Sequence, residues 1–178
     1  AALRRGIDPS DTEPVAHLVD GLELDVSDAG VIVDGVDATI DQYPYPASST
    51  SISTLLPDDV LADGQDSIKA RLQRPEIKKQ VTSHILARLK KRKLKHLSYA
   101  VVANYRPDTT YNGKSIEQIN LIKGRKHKAK YEAETVMDLM MNGGASAVFH
   151  GMSEEDVKRI MQYPFNMFAS DASIRVLG

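Results

Sequence analysis

The chain has 178 residues, 42% hydrophobic and 26% charged, with 23 Lys and Arg against 24 Asp and Glu for a net charge of −1. That is the composition of a globular chain, shorter than the roughly 250 residues of a complete eight-fold βα barrel. No run approaches the ~18 apolar residues of a membrane span, and the absence of Cys excludes disulfides, thiolate zinc ligands and a Cys nucleophile.

The opening AALRRGIDPSDTEP turns acidic without an apolar stretch, which predicts no signal peptide, and the Cys-free composition fits a cytoplasmic protein. Residues 6–35 are rich in Asp and Gly and carry no Lys or Arg; LELDV and GVIVDGV read as short strands between turn residues. Val36 to Gln42 alternates apolar and polar residues, with Val36, Ala38 and Ile40 on one face, as a strand does. The prolines of Tyr43-Pro44-Tyr45-Pro46 stop it. Ala47 to Thr54 is small and hydroxyl-rich and reads as a loop.

Helical sequence follows. Gln65 to Gln73 sets Ile68 and Leu72 one turn apart. Pro75 suits the first position of the next helix, where Ile77, Val81, Ile85, Leu86 and Leu89 share one stripe. Leu97 to Ala103 is an apolar run suited to a buried strand, and Asn104 to Lys114 is a turn-rich loop. Ser115, with Gln118 three residues on, starts a helix with a capping box. Glu132 to Asn142 is helical with Val136, Leu139 and Met140 inward, and Gly143-Gly144 stops it. Ala145 to His150 reads as a strand, Ser153 caps a helix bearing Val157, Ile160 and Met161, and Phe165 to Ala169 is a last short strand. This alternation predicts an α/β fold with parallel strands.

Charge is segregated along the chain. Residues 1–66 carry a net −12, residues 67–131 a net +15 and residues 132–178 a net −4. The densest basic run, Arg88 to Lys95, contains no aromatic residue for base stacking. Nucleic acid is therefore not an expected partner, and a solvated basic face or an anion-binding surface are the two readings.

Parallel α/β folds gather chemistry at the carboxyl ends of strands, where this chain puts Gln42-Tyr43, His150 and Ser170-Asp171. Asp171 after an apolar strand could bind a metal or act as a general base, or it could be a plain turn or cap residue. His150 and His17 could be ligands or packing residues. His84, His96 and His127 read as surface residues of the basic segment with no carboxylate nearby in sequence.

Several stretches, in order along the chain, resemble a known family. Asp37 to Leu56, DATIDQYPYPASSTSISTLL, resembles the D-x-Y-P-Y-x-A-x-S-T segment of the N-acyl-D-amino-acid deacylases, or D-aminoacylases, of the amidohydrolase superfamily. LLPDDVLADG and KARLQRPEIKKQV resemble its continuation, and SEEDVKRIM and FASD resemble its M-S-E-E-D-V-x-x-I-M … GSDG stretch. PVAHLVDG weakly resembles the strand end I-S-H-L-K, with Val19 in place of Lys. The chain has neither the family's His-x-His pair nor its metal-binding Cys, and it reads ASDA where the family reads GSDG.

The resemblance implies part of a TIM-like (β/α)8 metal-dependent hydrolase barrel with a helical lid insertion. In that reading residues 1–46 are a partial barrel segment, 47–142 contain the lid and 143–178 hold the last barrel strands. It implies zinc as cofactor, with Asp171 as catalytic and metal-site residue, His17 as a metal ligand, and Tyr43 and Ser49 as substrate contacts. The substrate would be a small-molecule N-acyl-D-amino acid, the missing barrel half or an oligomer partner would complete the structure, and no membrane is involved. The alternative from a different class is a non-catalytic barrel fragment whose basic segment binds anionic partners.

Overall fold

Pro44 and Pro46 cannot donate to a ladder, and the chain divides where they stand. Residues 1–46 together with 152–178 make one compact unit, and residues 47–151 make the other. The computed structural model describes residues 32–33, 36–37, 40–163 and 166–170.

In the first unit, β1 (Ile32–Val33) pairs antiparallel with β2 (Val36–Asp37). The strand expected at LELDV lies outside the described residues. β3 (Ile40–Gln42) belongs to the same unit. The second unit runs through β4 (Ala47–Ser51), a 3-10 turn at Ile52–Leu55, α1 (Asp58–Leu61), α2 (Gly64–Gln73), α3 (Pro75–Lys91) and β5 (Ala100–Asn104). A 3-10 turn at Thr109–Tyr111, α4 (Ile116–Ile122), α5 (Ala129–Met141) and β6 (Ser146–His150) complete it. The chain then returns to the first unit with α6 (Glu154–Met161) and β7 (Asn166–Phe168).

β7 lies parallel to β3, with Ile40 opposite Asn166 and Gln42 opposite Phe168. Ser153 caps α6 by accepting the Asp156 N–H at 3.0 Å, and Glu154, Glu155 and Asp156 sit favourably in its first turn. The helix buries Val157 and Ile160.

The second unit corrects two expectations. Its sheet has the order β4-β6-β5 and is antiparallel throughout. The strands at residues 100–104 and 146–150 are therefore not a parallel βαβ pair, although helices separate them in sequence. β6 slots between its two partners and runs against both. Residues 47–51, read as loop, form the edge strand β4, with Ser49 opposite Val148. Their small hydroxyl side chains show no hydrophobic alternation because most of that strand faces solvent.

Local signals set the helices. Pro75 opens α3 at its first position, and Ser115 and Gln118 form the reciprocal capping box of α4, with bonds of 3.2 and 2.8 Å. Of the α3 stripe, Val81, Ile85 and Leu89 are buried, Ile77 packs at the core's edge and Leu86 stays exposed. α5 packs against α2, α3 and α4 and contributes Val136, Leu139 and Met140 to the core, together with Ile52, Leu72, Val102, Ile116 and Ala147. Among the described residues no helix is long and apolar enough to cross a membrane.

Candidate functional site

Two places gather chemistry, one in each unit. The first is the carboxyl edge of the parallel β3–β7 pair. Ala169 donates its N–H to the Gln42 carbonyl at 3.1 Å, so the pairing extends past the end of β7. Tyr43 leaves one strand end there and Ser170 the other. The Tyr43 ring is half-buried and tilted against Tyr45, with centroids 6.0 Å apart. Gln42 anchors the edge: it is buried, its Nε2 donates to the Val157 carbonyl at 3.3 Å, and its Oε1 accepts from Asn166 Nδ2 at 2.9 Å. Asp171 and His17 lie outside the described residues. Ser49 is exposed on β4 of the other unit.

The second place was not legible as a site. His96, Glu117, His127 and Glu132 bring one ligand-type atom each to within 4.8 Å of one another. His96 follows α3, Glu117 is in the first turn of α4, His127 lies between α4 and α5, and Glu132 is in the first turn of α5. His96 Nδ1 meets Glu132 Oε1 at 2.5 Å, and His127 Nε2 meets Glu117 Oε1 at 2.5 Å. His96 Nδ1 lies 3.8 Å from Glu117 Oε1. The two imidazoles stack with centroids 4.1 Å apart and planes at 19°. Glu132 is wholly buried, and its second oxygen accepts the Leu97 N–H at 2.7 Å.

His127 is exposed and His96 partly so, as expected of surface residues, but the expectation that neither has a carboxylate partner is corrected. One signal pointed to the cluster: Glu132 stands one turn before Val136 on the apolar stripe of α5, and a carboxylate on a core face needs a partner. His84 also departs from a plain surface role. Its Nε2 is buried without a hydrogen-bond partner, and burial, aided by the nearby Arg88, pushes the imidazole pKa down. His150 is exposed at the end of β6.

Basic residues converge between α3 and α5, where Lys78, Lys79 and Lys130 line a groove of about 490 Å³ together with Arg125, Glu134 and Asp138. Burial raises the Asp138 carboxyl, but hydrogen bonds and charge from Lys123 and Arg125 more than offset that and hold it below the usual carboxylate range. Of the run Arg88 to Lys95, Arg88 donates to the Thr54 carbonyl, Arg92 lies over the Tyr99 ring at 4.3 Å, and Lys90, Lys91, Lys93 and Lys95 are exposed.

No protein-family model and no curated protein sequence matches the chain. Among solved structures it is similar to a D-aminoacylase described as defining a novel subset of amidohydrolases, with 22% identity and a TM-score of 0.43 over 78% of this chain and 20% of that one. It is also similar to N-acyl-D-glutamate deacylase from Bordetella bronchiseptica in complex with zinc and a phosphonate inhibitor, with 22% identity and a TM-score of 0.41 over 78% and 20% of the two chains. The chain thus spans about a fifth of the length of the structures it matches.

Proposed function

We propose that this chain is part of a zinc-dependent amide hydrolase of the N-acyl-D-amino-acid deacylase kind, which releases a carboxylate and a D-amino acid. The observation that carries the reading is the parallel pairing of β3 with β7. The two segments that most resemble the deacylases, YPYPAS and FASD, follow or close these strands, and βα barrels hold their sites at the carboxyl ends of parallel strands. Met167 and Phe168, both more than half exposed, lie on opposite faces of β7 and leave apolar surface on each for further elements to cover. Residues 1–46 and 152–178 are the barrel portion in this reading, and the 47–151 unit, with its antiparallel sheet, contains the lid.

Each proposed residue has a defined task. Tyr43 holds the substrate, and Asp171 takes a proton and delivers it to the leaving amine. When bound, zinc activates water as a nucleophile. Asp171 and His17 offer the oxygen and nitrogen donors that zinc accepts, but a catalytic zinc takes three protein ligands and an open position. The pair alone does not complete such a site. The test is turnover of N-acyl-D-amino acids by the complete enzyme, with and without a chelator. Asp171→Asn should lower kcat by ~10²–10⁴-fold with the melting temperature unchanged. Wild-type turnover in that variant returns Asp171 to a cap or turn role.

The groove lined by Lys78, Lys79 and Lys130 favours a second reading, an anion-binding module. It requires binding that weakens steeply with salt and is indifferent to chelators.

A further inference from the structure

We propose that His96, Glu117, His127 and Glu132 form a structural binding site for a divalent transition-metal ion of the zinc type. The site lies wholly within the 47–151 unit and stands independently of any hydrolase activity.

The donor set is the first argument. Two imidazole nitrogens and two carboxylate oxygens suit zinc and its first-row neighbours, whereas magnesium and calcium favour oxygen alone. Geometry is the second. Four-coordinate zinc holds such ligands at about 2.0–2.2 Å, which puts neighbouring donors a little over 3 Å apart. Three of the separations, 2.5, 2.5 and 3.8 Å, bracket that value, and all lie within 4.8 Å, so side-chain rotations would bring the four donors onto one ion. Orientation is the third. The Leu97 N–H holds one Glu132 oxygen and turns the other toward the cluster, the kind of support that ligands of bound metals receive.

Charge is the fourth argument. Among the described residues, the two histidines are the only cationic groups within ion-pair distance of Glu117 and Glu132. Of the two carboxylates Glu132 is wholly buried, and a buried carboxylate needs a compensating partner. One divalent cation neutralises both carboxylates and is compatible with stacked neutral imidazoles. It would fasten the end of α3 to the first turns of α4 and α5.

The test uses the whole chain, stripped of metal and titrated with Co²⁺ and then Zn²⁺. A His17→Ala/Asp171→Asn form is titrated beside it, so that a cation held by the proposed hydrolase centre is not counted. The expected result in both is one tight Co²⁺ per chain with the intense visible absorption of a four-coordinate site, displaced by Zn²⁺, and a melting temperature that rises with free metal. His127→Ala and Glu117→Gln should each weaken binding by at least about tenfold, since even residues that merely support ligands are worth that much. Co²⁺ binding equally tight in the His127→Ala/Glu117→Gln double variant overturns the proposal, as does its loss in the His17→Ala/Asp171→Asn form. Should the ligand variants fail to fold, shifted imidazole resonances of the Co²⁺ form count the ligating histidines: two support the site, and fewer overturn it.

Discussion

Asn166 donates from Nδ2 to the side-chain oxygen of Gln42 at 2.9 Å, joining residues 124 positions apart. Gln42 extends the connection to α6 through the Val157 carbonyl. Replacing it with Leu keeps bulk but takes one partner from the Val157 carbonyl and one from Asn166 Nδ2, which still donates to the Ile160 carbonyl. Gln42→Leu should therefore cost about 1–3 kcal/mol, read as a shift in the urea midpoint. An unchanged midpoint would mean that water replaces both bonds.

Asp138 links Lys123 to Arg125, the latter at 2.6 Å. Its carboxyl pKa is held below the ordinary value, so the folded state binds fewer protons than the unfolded one as the carboxylate range is crossed. That stabilisation is present above the unfolded value near 3.8 and is lost as pH falls through the folded one. Asp138→Asn should then destabilise the chain at neutral pH by at most about 1 kcal/mol, given the partly exposed pairs, and the difference should shrink as the pH falls below the unfolded value near 3.8. A difference that grows in acid contradicts the assignment.

Lys93 closes α3 in the left-handed region at φ 54°. Its N–H bonds the Lys90 carbonyl at 3.1 Å, and the Leu94 N–H reaches back to Leu89 at 2.9 Å, the helix stop that usually carries glycine. Lys93→Gly removes the Cβ penalty and should raise stability by up to about 1 kcal/mol. A lower melting temperature would show that the lysine side chain matters more than its backbone.

Tyr43→Phe tests the proposed substrate contact. One lost hydrogen bond to a charged group is worth about 1.5–3 kcal/mol, or roughly 10–150-fold in kcat/KM. The ring should still pack, so the melting temperature should hold. The reverse outcome, intact kcat/KM with a large drop in melting temperature, assigns Tyr43 to packing.

Lys78, Lys79 and Lys130 separate the two functional readings. Changing all three to Gln should leave deacylase turnover of the complete enzyme within a few-fold, because exposed charges contribute about 0–1 kcal/mol each. On the anion-binding reading the same triple variant loses affinity and flattens the salt dependence. Filter binding at two salt concentrations distinguishes them.

Features controlled by neighbours in sequence were legible. Pro75 at the start of α3, the Ser115–Gln118 capping box and the Gly143-Gly144 stop after α5 each follow from contacts spanning a few residues. Features that need distant partners were not. Nothing local reveals that β6 runs against both β4 and β5, and ASSTS shows no alternation because it is an exposed edge. His96 and Glu132 are 36 positions apart, so only the misplaced carboxylate on the α5 stripe hinted at their meeting. The deacylase resemblance came from motif order, which does not report strand direction.

Ala47 and His150, at the two ends of the 47–151 unit, are directly opposed across the β4–β6 ladder. Opposed residues of antiparallel strands stand about 5 Å apart. The polypeptide therefore enters and leaves this body at a single doorway. Such a body can be cut out at the level of the gene and the flanking chain rejoined with a very short linker, because the ends to be spliced already meet and little closure entropy is added. The same doorway lets the segment lengthen, shrink or be exchanged over evolution while the strands outside it keep their register.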